Sequence, residues 1–133
     1  MVCSASREKI RVRKMALLHI EKNNGIAIVY LNRPEKRNAM SFALLRELVS
    51  TAKTIEKDRS IRCVILTGEA NVFSAGIDLG DLNNPKNRAY AVWELLKPGQ
   101  SLFQKAFLVW QNLPVPVIAA LEGFCFGAGM QLA

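Results

Sequence analysis

The alternation of apolar and polar residues near the start of the chain predicts a β-hairpin. Apolar and polar side chains alternate over residues 17–21 and 26–31, and the tripeptide Asn-Asn-Gly occupies residues 23–25 between them. Such alternation is typical of a strand with one buried face. Asn and Gly tolerate the positive φ that a tight hairpin turn requires. The sequence Asn-Arg-Pro at residues 32–34 then ends the second strand.

The spacing of apolar residues changes to a helical period after Ser41. Ser is a favoured N-cap residue, so a helix is predicted over residues 42–57. Its apolar side chains recur at intervals of three and four residues and form one stripe: Leu44, Leu45, Leu48, Ala52 and Ile55. The β-branched run at residues 61–67, which ends at Gly68, predicts a strand that is covered on both faces.

The second half of the chain continues this mixture of helices and strands. Residues 85–112 have a helical pattern that is interrupted at Pro98-Gly99. A strand is predicted over residues 117–121, followed by a glycine-rich turn at residues 123–129. Strands that interleave with helices indicate the α/β class. A further helix has only begun where the sequence stops at Ala133, so we expect the N-terminal part of a larger domain, truncated after this turn.

Composition and charge indicate a globular domain with a basic N-terminal extension. The chain has 133 residues, of which 50% are hydrophobic and 22% charged. No apolar run reaches the roughly 20 residues of a membrane helix, so no membrane segment is expected. The net charge is +7, and residues 1–14 contribute most of it. We therefore predict a basic disordered extension over residues 1–14 and a folded part over residues 15–133.

Few residues outside the glycine-rich turns indicate a particular chemistry. Cys3, Cys63 and Cys125 lack C-x-x-C spacing, so we expect no disulfide framework, no metal site and a cytoplasmic location. The single histidine, His19, is predicted to be a surface strand residue rather than a catalytic base. The basic extension suggests nucleic-acid binding as an alternative. The mixed charges of the 42–57 helix and the absence of an aromatic platform argue against it.

Two segments share one pattern, a buried strand followed by a turn of small residues. The strand at residues 64–68 leads to residues 73–79, and the strand at 117–121 leads to 123–131. Small residues allow a ligand to approach the backbone closely. Two unpaired N–H groups directed at one point would form an oxyanion hole. Close packing of strand and helix is the alternative explanation, and neither turn has the spacing of a nucleotide-binding motif.

The motifs of this chain resemble those of the crotonase superfamily, the enoyl-CoA hydratase/isomerase family. Residues 26–40 (IAIVYLNRPEKRNAM) resemble the opening strand and first loop of that family. Residues 73–79 (FSAGIDL) resemble its first oxyanion segment, and residues 113–123 (LPVPVIAALEG) with 126–132 (FGAGMQL) resemble its second. The motifs occur in family order across residues 17–133. The resemblance implies a crotonase-like fold of spiralling ββα units.

The resemblance also implies roles for individual residues. The backbone N–H groups of Ala75 and Ala128 would hold the thioester oxygen of an acyl-CoA, and because coenzyme A is part of the substrate, no separate cofactor is expected. Asp78 would fix a loop rather than act as a catalytic carboxylate. Residues 90–110 would either wall the acyl pocket or belong to the core. The expected substrate-binding positions are Lys36, Arg37, Ala39, Ser74, Gly76, Ile77, Asp78, Gly127 and Gln131. For Lys36 and Arg37, solvated loop charge is the alternative.

Gln131 departs from the pattern of the family's hydratases. Those enzymes carry a carboxylate three residues after the second oxyanion donor, whereas this chain has an amide, which cannot accept and return a proton near neutral pH. The resemblance therefore favours a double-bond isomerase or another non-hydratase activity for the full-length protein, with this part alone inactive. A non-catalytic acyl-CoA-binding protein is the alternative. Family members assemble as trimers or paired trimers, which implies a homotrimer or hexamer when the protein is full length.

Overall fold

The computed structural model describes residues 13–14 and 17–133 and has a five-stranded sheet with helices. The strands are β1 (Arg13–Lys14), β2 (Leu18–Asn23), β3 (Ile26–Leu31), β4 (Cys63–Gly68) and β5 (Val117–Ala119). The helices are α1 (Phe42–Lys57), α2 (Leu79–Asn83), α3 (Pro85–Leu96), α4 (Leu102–Gln111) and α5 (Ala128–Leu132), and a short 3₁₀ helix spans Pro34–Lys36. The predicted α/β class is confirmed.

The order of the strands brings the two glycine-rich turns to the same edge of the sheet. The strands lie in sequence order, with β1, β2 and β3 antiparallel and β3, β4 and β5 parallel. The carboxyl ends of parallel strands meet at one sheet edge. Because β4 and β5 are neighbours, the segments that follow them leave the sheet side by side.

The predicted hairpin and first helix are both confirmed. Strands β2 and β3 pair from Leu18–Leu31 to Asn23–Ile26, and Asn24 and Gly25 adopt φ values of 49° and 81° at the turn. Helix α1 begins where its cap predicts, because the Ser41 hydroxyl accepts the N–H of Leu44 at 3.1 Å. Each element is specified by contacts between residues close in sequence.

The core lies between α1 and one face of the sheet. Its largest fully buried aliphatic side chains come from β2, β3, β4 and α1: Leu18, Val29, Leu31, Leu44, Leu45, Leu48, Val64 and Leu66. Burying a side chain of this size contributes about 1.5–3 kcal/mol. Helix α4 completes the layer with Ala106 and Trp110.

Strand β4 corrects the expectation of a strand covered on both faces. Its side chains alternate in burial, with Val64 and Leu66 buried and Cys63, Ile65 and Thr67 only partly buried. Val64 and Leu66 belong to the core cluster, whereas the opposite face of β4 is only partly covered by the described residues. A run of β-branched residues does not by itself distinguish these two cases.

The remaining boundaries differ from prediction in small ways. The gap between α3 and α4 confirms the break predicted at Pro98-Gly99, while α2 was not predicted and β5 ends two residues early, at Ala119.

Arg13 and Lys14 pair with β2, so the predicted disordered extension ends in a strand, and residues 1–12 lie outside the described residues. In the described part of the chain, no helix is long and apolar enough to span a membrane.

His19 lies in β2, as predicted for a strand residue. Its ring is partly exposed, packs against Tyr30 with 5.4 Å between ring centroids, and has Nε2 3.0 Å from a carboxylate oxygen of Glu21. It is remote from both glycine-rich turns in the strand order. His19 therefore belongs to the surface of the sheet.

A buried carboxylate links the end of α3 to the start of α4. The side chain of Glu94 is 3% exposed, and its oxygens accept hydrogen bonds from the Lys97 ammonium at 2.7 Å and from the Leu102 N–H at 2.5 Å. Burial acts to raise the pKa of Glu94, but these hydrogen bonds outweigh it and hold the pKa at about 2. Glu94 thus caps α4 from the preceding helix.

We predict that Glu94→Gln lowers the free energy of unfolding at pH 7 by about 1–3 kcal/mol. The folded-state pKa of about 2 lies below the ordinary value of 4.5. The stabilisation is therefore fully present above about pH 5 and is lost as the pH falls from about 5 toward 2. Urea denaturation from pH 7 to pH 3 measures it. Glu56→Gln on the exposed face of α1 is the control, and equal effects of the two substitutions would contradict the assignment.

Candidate functional site

The two turns that follow β4 and β5 are joined directly by their backbones. We call residues 73–78 turn 1 and residues 123–128 turn 2. The Ser74 N–H donates to the Phe124 carbonyl at 3.3 Å, and the Phe126 N–H donates to the Ser74 carbonyl at 3.0 Å, which forms a parallel bridge between Ser74 and Cys125. Segments about fifty residues apart in sequence therefore form a single structural unit.

The contact between the turns requires glycine at residue 129. A Cβ atom built on Gly129 would lie 2.6 Å from the Cβ of Ser74 and 3.0 Å from its hydroxyl oxygen. Gly76 is almost as close to turn 2, since a Cβ there would lie 3.2 Å from the Phe126 oxygen and 3.9 Å from the Ala128 nitrogen. Gly76 and Gly129 thus let the two backbones approach each other, which agrees with close packing, the alternative explanation for these small residues.

The structure corrects the prediction for Ala75. Its N–H donates to the Arg37 carbonyl at 2.9 Å, so this group is already satisfied within the chain. The bond joins turn 1 to the loop after β3. The prediction that the Ala75 N–H is free to hold a ligand oxygen is therefore wrong for this structure.

The N–H of Ile77 is the unpaired donor of turn 1. The Gly76 N–H donates to the Ser74 hydroxyl at 3.1 Å, the Gly76 carbonyl accepts the Met40 N–H at 2.7 Å, and the Asp78 N–H donates to the Met40 carbonyl at 3.0 Å. No hydrogen bond within the described part of the chain uses the Ile77 N–H. Because C=O and N–H of a trans peptide point in opposite directions, this N–H points away from Met40.

Ala128 is one of several residues of turn 2 whose N–H has no hydrogen-bond partner among the described residues. The Gly129 N–H donates to the Phe126 carbonyl at 2.9 Å and the Gln131 N–H donates to the Gly127 carbonyl at 3.2 Å. Ala128 is the first residue of α5, so its N–H has no partner in that helix, and none elsewhere in the described residues. The role of Ala128 as a donor to the ligand stays a prediction, which requires this N–H to be unpaired. The Ala128 nitrogen lies beside Gly76, the neighbour of Ile77.

Asn38 anchors the loop that supports turn 1. The residue is fully buried at φ 54°, and its side-chain oxygen accepts the Arg33 N–H at 2.8 Å. Its amide nitrogen donates to the carbonyls of Glu69 at 3.1 Å and Val72 at 2.7 Å. Asn38 therefore fastens the loop after β3 to the segment between β4 and turn 1.

Asp78 fixes the loop, in the way predicted. One carboxylate oxygen accepts the Arg33 guanidinium at 3.0 Å and the other accepts the Gly80 N–H at 2.9 Å, which caps α2. Burial acts to raise the pKa of Asp78, but the hydrogen bonds from Arg33 and Gly80 hold it below its ordinary value. With both oxygens engaged, Asp78 is an ionised structural carboxylate rather than an acid–base group.

The other predicted ligand-binding residues divide into exposed and buried sets. Lys36, Arg37, Gly127 and Gln131 are exposed. Ala39, Ser74 and Gly76 are buried, Ser74 completely, so the prediction that Ser74 contacts a ligand is wrong for this structure. The burial of these small residues indicates that they shape the backbone instead.

Exposed apolar side chains border both turns. Leu79 follows turn 1 and is 68% exposed, while Phe126 and Met130 flank Ala128 and are 58% and 65% exposed. Of the aromatic residues at 90–110, Trp110 is buried in the core, whereas Trp93 is 57% exposed. Apolar surface next to unpaired donors suits a ligand with a polar carbonyl and an apolar chain.

Gln131 lies on the exposed face of α5 and borders an open groove of about 370 Å³. Trp110 and Gln111 also line this groove, and among the described residues no Asp or Glu side chain does. The amide of Gln131 can donate and accept hydrogen bonds but cannot transfer a proton near neutral pH.

Sequence reasoning did not identify Arg33 and Met40 as parts of the site, and it did not identify the anchoring role of Asn38. All three lie in or beside the loop after β3, where the residue types show no periodic pattern. The useful signal in the sequence was Asn at residue 38, because Asn tolerates positive φ and so indicates a tight turn. Arg37 and Asn38 both adopt positive φ. The partners that hold Asn38 and Arg33 beside turn 1 are Glu69, Val72 and Asp78, which lie 31, 34 and 45 residues away in sequence, and only the fold reveals them.

The chain is similar to known proteins in both sequence and fold. A family model described as enoyl-CoA hydratase/isomerase matches residues 21–133. The mitochondrial Δ3,5-Δ2,4-dienoyl-CoA isomerase of Rattus norvegicus is 43% identical over 109 residues, which is 78% of this chain and 33% of the relative. The hydroxycinnamoyl-CoA hydratase-lyase of Pseudomonas fluorescens is 37% identical over 83% of this chain and 40% of the relative.

A solved structure described as an enoyl-CoA hydratase/carnithine racemase from Magnetospirillum magneticum has the same arrangement of elements. It superposes with a TM-score of 0.75 and 33% identity, over 90% of this chain and 44% of that one. The chain thus spans about a third of the length of the rat isomerase and under half of this bacterial structure.

We predict that Asn38→Gly lowers the free energy of unfolding by about 2–4 kcal/mol, because one buried N–H and two buried carbonyls lose their partner. Glycine accepts the positive φ of this residue, so the change removes only the side chain. Urea denaturation measures the effect, with Asn83→Gly at an exposed position as the control. A loss no larger than that of the control would show that Asn38 does not anchor the loop.

Proposed function

The chain belongs to the enoyl-CoA hydratase/isomerase family, and from that premise we propose that it binds the thioester of an acyl-CoA between turn 1 and turn 2 and stabilises its enolate. The likeness to solved structures confirms the predicted crotonase-like fold. Relatives named for hydratase, isomerase and lyase reactions all act on CoA thioesters by name. Binding a thioester oxygen is the step that these reactions share.

The observation that carries the proposal is the pair of unpaired N–H groups of Ile77 and Ala128. Both lie in the turns that are bonded to each other at Ser74. A thioester oxygen gains negative charge as the enolate forms, and fixed donors stabilise that charge without reorganising during the reaction. Ile77 replaces Ala75 in the predicted pair because the Ala75 N–H is already bonded to Arg37.

Exposed charge and apolar surface supply the other parts of an acyl-CoA site. Lys36 and Arg37 are exposed in the loop bonded to turn 1, where their positive charges can attract the phosphates of coenzyme A. Leu79, Phe126 and Met130 offer apolar surface to the acyl chain beside the donors. Coenzyme A is part of the substrate in this proposal, and no further cofactor is required.

Gln131 favours isomerisation or another non-hydratase reaction over hydration of the double bond. Hydration requires a group that activates water and returns a proton, and a carboxylate performs this far better than an amide. Double-bond isomerisation needs one base that moves a proton between two carbons. Asp78 does not supply that base, because both of its oxygens are engaged.

The same observations favour a non-catalytic acyl-CoA-binding protein as the second candidate. The groove at Gln131 is lined without a carboxylate in the described residues, and the proposed donors to the ligand oxygen are main-chain groups. Such a protein would bind acyl-CoA with no turnover. A cytoplasmic location and a homotrimer or hexamer complete the proposal for the full-length protein, although several relatives are mitochondrial by name.

We predict that Ala128→Pro weakens binding of acetoacetyl-CoA, a thioester that forms an enolate, by roughly 10²–10³-fold, because proline removes the N–H donor. Proline is tolerated at the first position of a helix, so the fold is expected to persist. Isothermal calorimetry gives the dissociation constants. Ala128→Gly keeps the donor and is the control, and equal affinities of the two variants would exclude the Ala128 N–H as a ligand.

We predict that a full-length protein containing this chain does not hydrate 2-enoyl-CoA appreciably, and that Gln131→Glu raises its hydration rate by roughly 10²-fold or more. The substituted carboxylate provides the acid–base group that the amide cannot. Steady-state assays on 2-enoyl-CoA and 3-enoyl-CoA separate hydration from isomerisation. Gln111→Glu, on the same groove, is the control. Robust hydration by the unsubstituted protein would exclude the proposed part played by Gln131.

A further inference from the structure

Ser74 is the residue at which three segments of the site meet. Its hydroxyl donates to the Asn38 carbonyl at 2.8 Å and accepts the Gly76 N–H at 3.1 Å. Its own N–H and carbonyl pair with turn 2 at Phe124 and Phe126. Ser74 therefore connects the loop after β3, turn 1 and turn 2 through four hydrogen bonds.

The bonds of Ser74 leave Gly76 little freedom. The hydroxyl of Ser74 holds the Gly76 N–H, and the Met40 N–H holds the Gly76 carbonyl at 2.7 Å. The peptide that joins Gly76 to Ile77 is thus restrained at its carbonyl, which sets the direction of the Ile77 N–H. Gly76 adopts φ 98°, and glycine has wide conformational freedom. Its hydrogen bonds therefore decide which conformation the turn keeps.

The anchor behind Ser74 is itself rigid. Asn38 is fully buried and is held through its side chain by Arg33, Glu69 and Val72. Its carbonyl is therefore a fixed acceptor for the Ser74 hydroxyl. A donor that must meet a ligand oxygen is effective only when it is held in the productive direction before binding.

The geometry points to Ser74 as a positioning residue that aims the Ile77 N–H at the thioester oxygen, a role that rests on the proposed function. Its side chain is fully buried, so it acts through the backbone of turn 1 and not by touching the ligand. Alanine at this residue would leave the Gly76 N–H and the Asn38 carbonyl without their partner. The turn could then relax, and the Ile77 N–H would lose its fixed direction.

The test compares a ligand that forms an enolate with one that does not. Acetoacetyl-CoA ionises to an enolate that absorbs in the near ultraviolet, whereas butyryl-CoA stays a neutral thioester. We expect Ser74→Ala to lower the affinity for acetoacetyl-CoA relative to butyryl-CoA about tenfold, less than the loss of a whole donor. Ser101→Ala, which removes the buried cap of α4 remote from the turns, is the control and should leave this ratio unchanged.

Each outcome separates the two proposals. If the unsubstituted protein binds both ligands without favouring the enolate, the proposed function fails at the donors. If the unsubstituted protein favours the enolate and Ser74→Ala has the same ratio of affinities for acetoacetyl-CoA and butyryl-CoA, the positioning role of Ser74 is excluded. The proposed function then stands. A fall in affinity of equal size for both ligands would also exclude the role, since it indicates only a structural effect.

Hydrogen exchange of the unsubstituted protein supplies a test that does not depend on a variant that folds. The Gly76 amide should exchange slowly, because the buried Ser74 hydroxyl holds it, and the Ile77 amide should exchange faster than its neighbours until acetoacetyl-CoA is added. Rapid exchange of the Gly76 amide would show that the Ser74 hydroxyl does not hold turn 1, and would overturn the inference even if Ser74→Ala fails to fold.

Discussion

The main-chain hydrogen bonds on either side of Ser74 are the interaction on which the site depends. They join turn 1 to turn 2 at 3.0 and 3.3 Å, although the turns follow different strands. The bonds are possible because β4 and β5 are adjacent parallel strands whose carboxyl ends lie together. Without them, the N–H groups of Ile77 and Ala128 would belong to two independent loops with no fixed separation.

Close approach of the backbones in turn restricts the residue types. Gly123 adopts φ 63°, and a Cβ atom there would lie 2.2 Å from the Asn71 oxygen. Together with Gly129, it lets turn 2 lie against the segment that leads to turn 1. The loop after β3 then completes the unit, since Asn38 and the Arg33–Asp78 ion pair hold that loop beside turn 1.

Features set by neighbouring residues were predictable from the sequence, and features set by distant partners were not. The hairpin at Asn24-Gly25 and the start of α1 at Ser41 depend on local chemistry, and both were predicted correctly. The availability of an N–H in turn 1 depends on the Arg37 and Met40 carbonyls, which only the fold brings into reach. Motif spacing therefore located the turn but assigned the wrong donor within it. The burial of the two faces of β4 likewise could not be predicted, because it depends on which segments pack against each face.

The central claim is that the Ile77 and Ala128 N–H groups converge on one oxygen of a CoA thioester. Backbone amide NMR during titration with acetoacetyl-CoA tests it most directly, because an amide proton that binds an oxygen with growing negative charge shifts downfield. The account predicts that the Ile77 and Ala128 protons shift together and saturate at one ligand concentration, while the Ala75 proton, already bonded to Arg37, stays nearly unchanged. Independent saturation of the two signals, or a shift at Ala75 without one at Ile77, would contradict it.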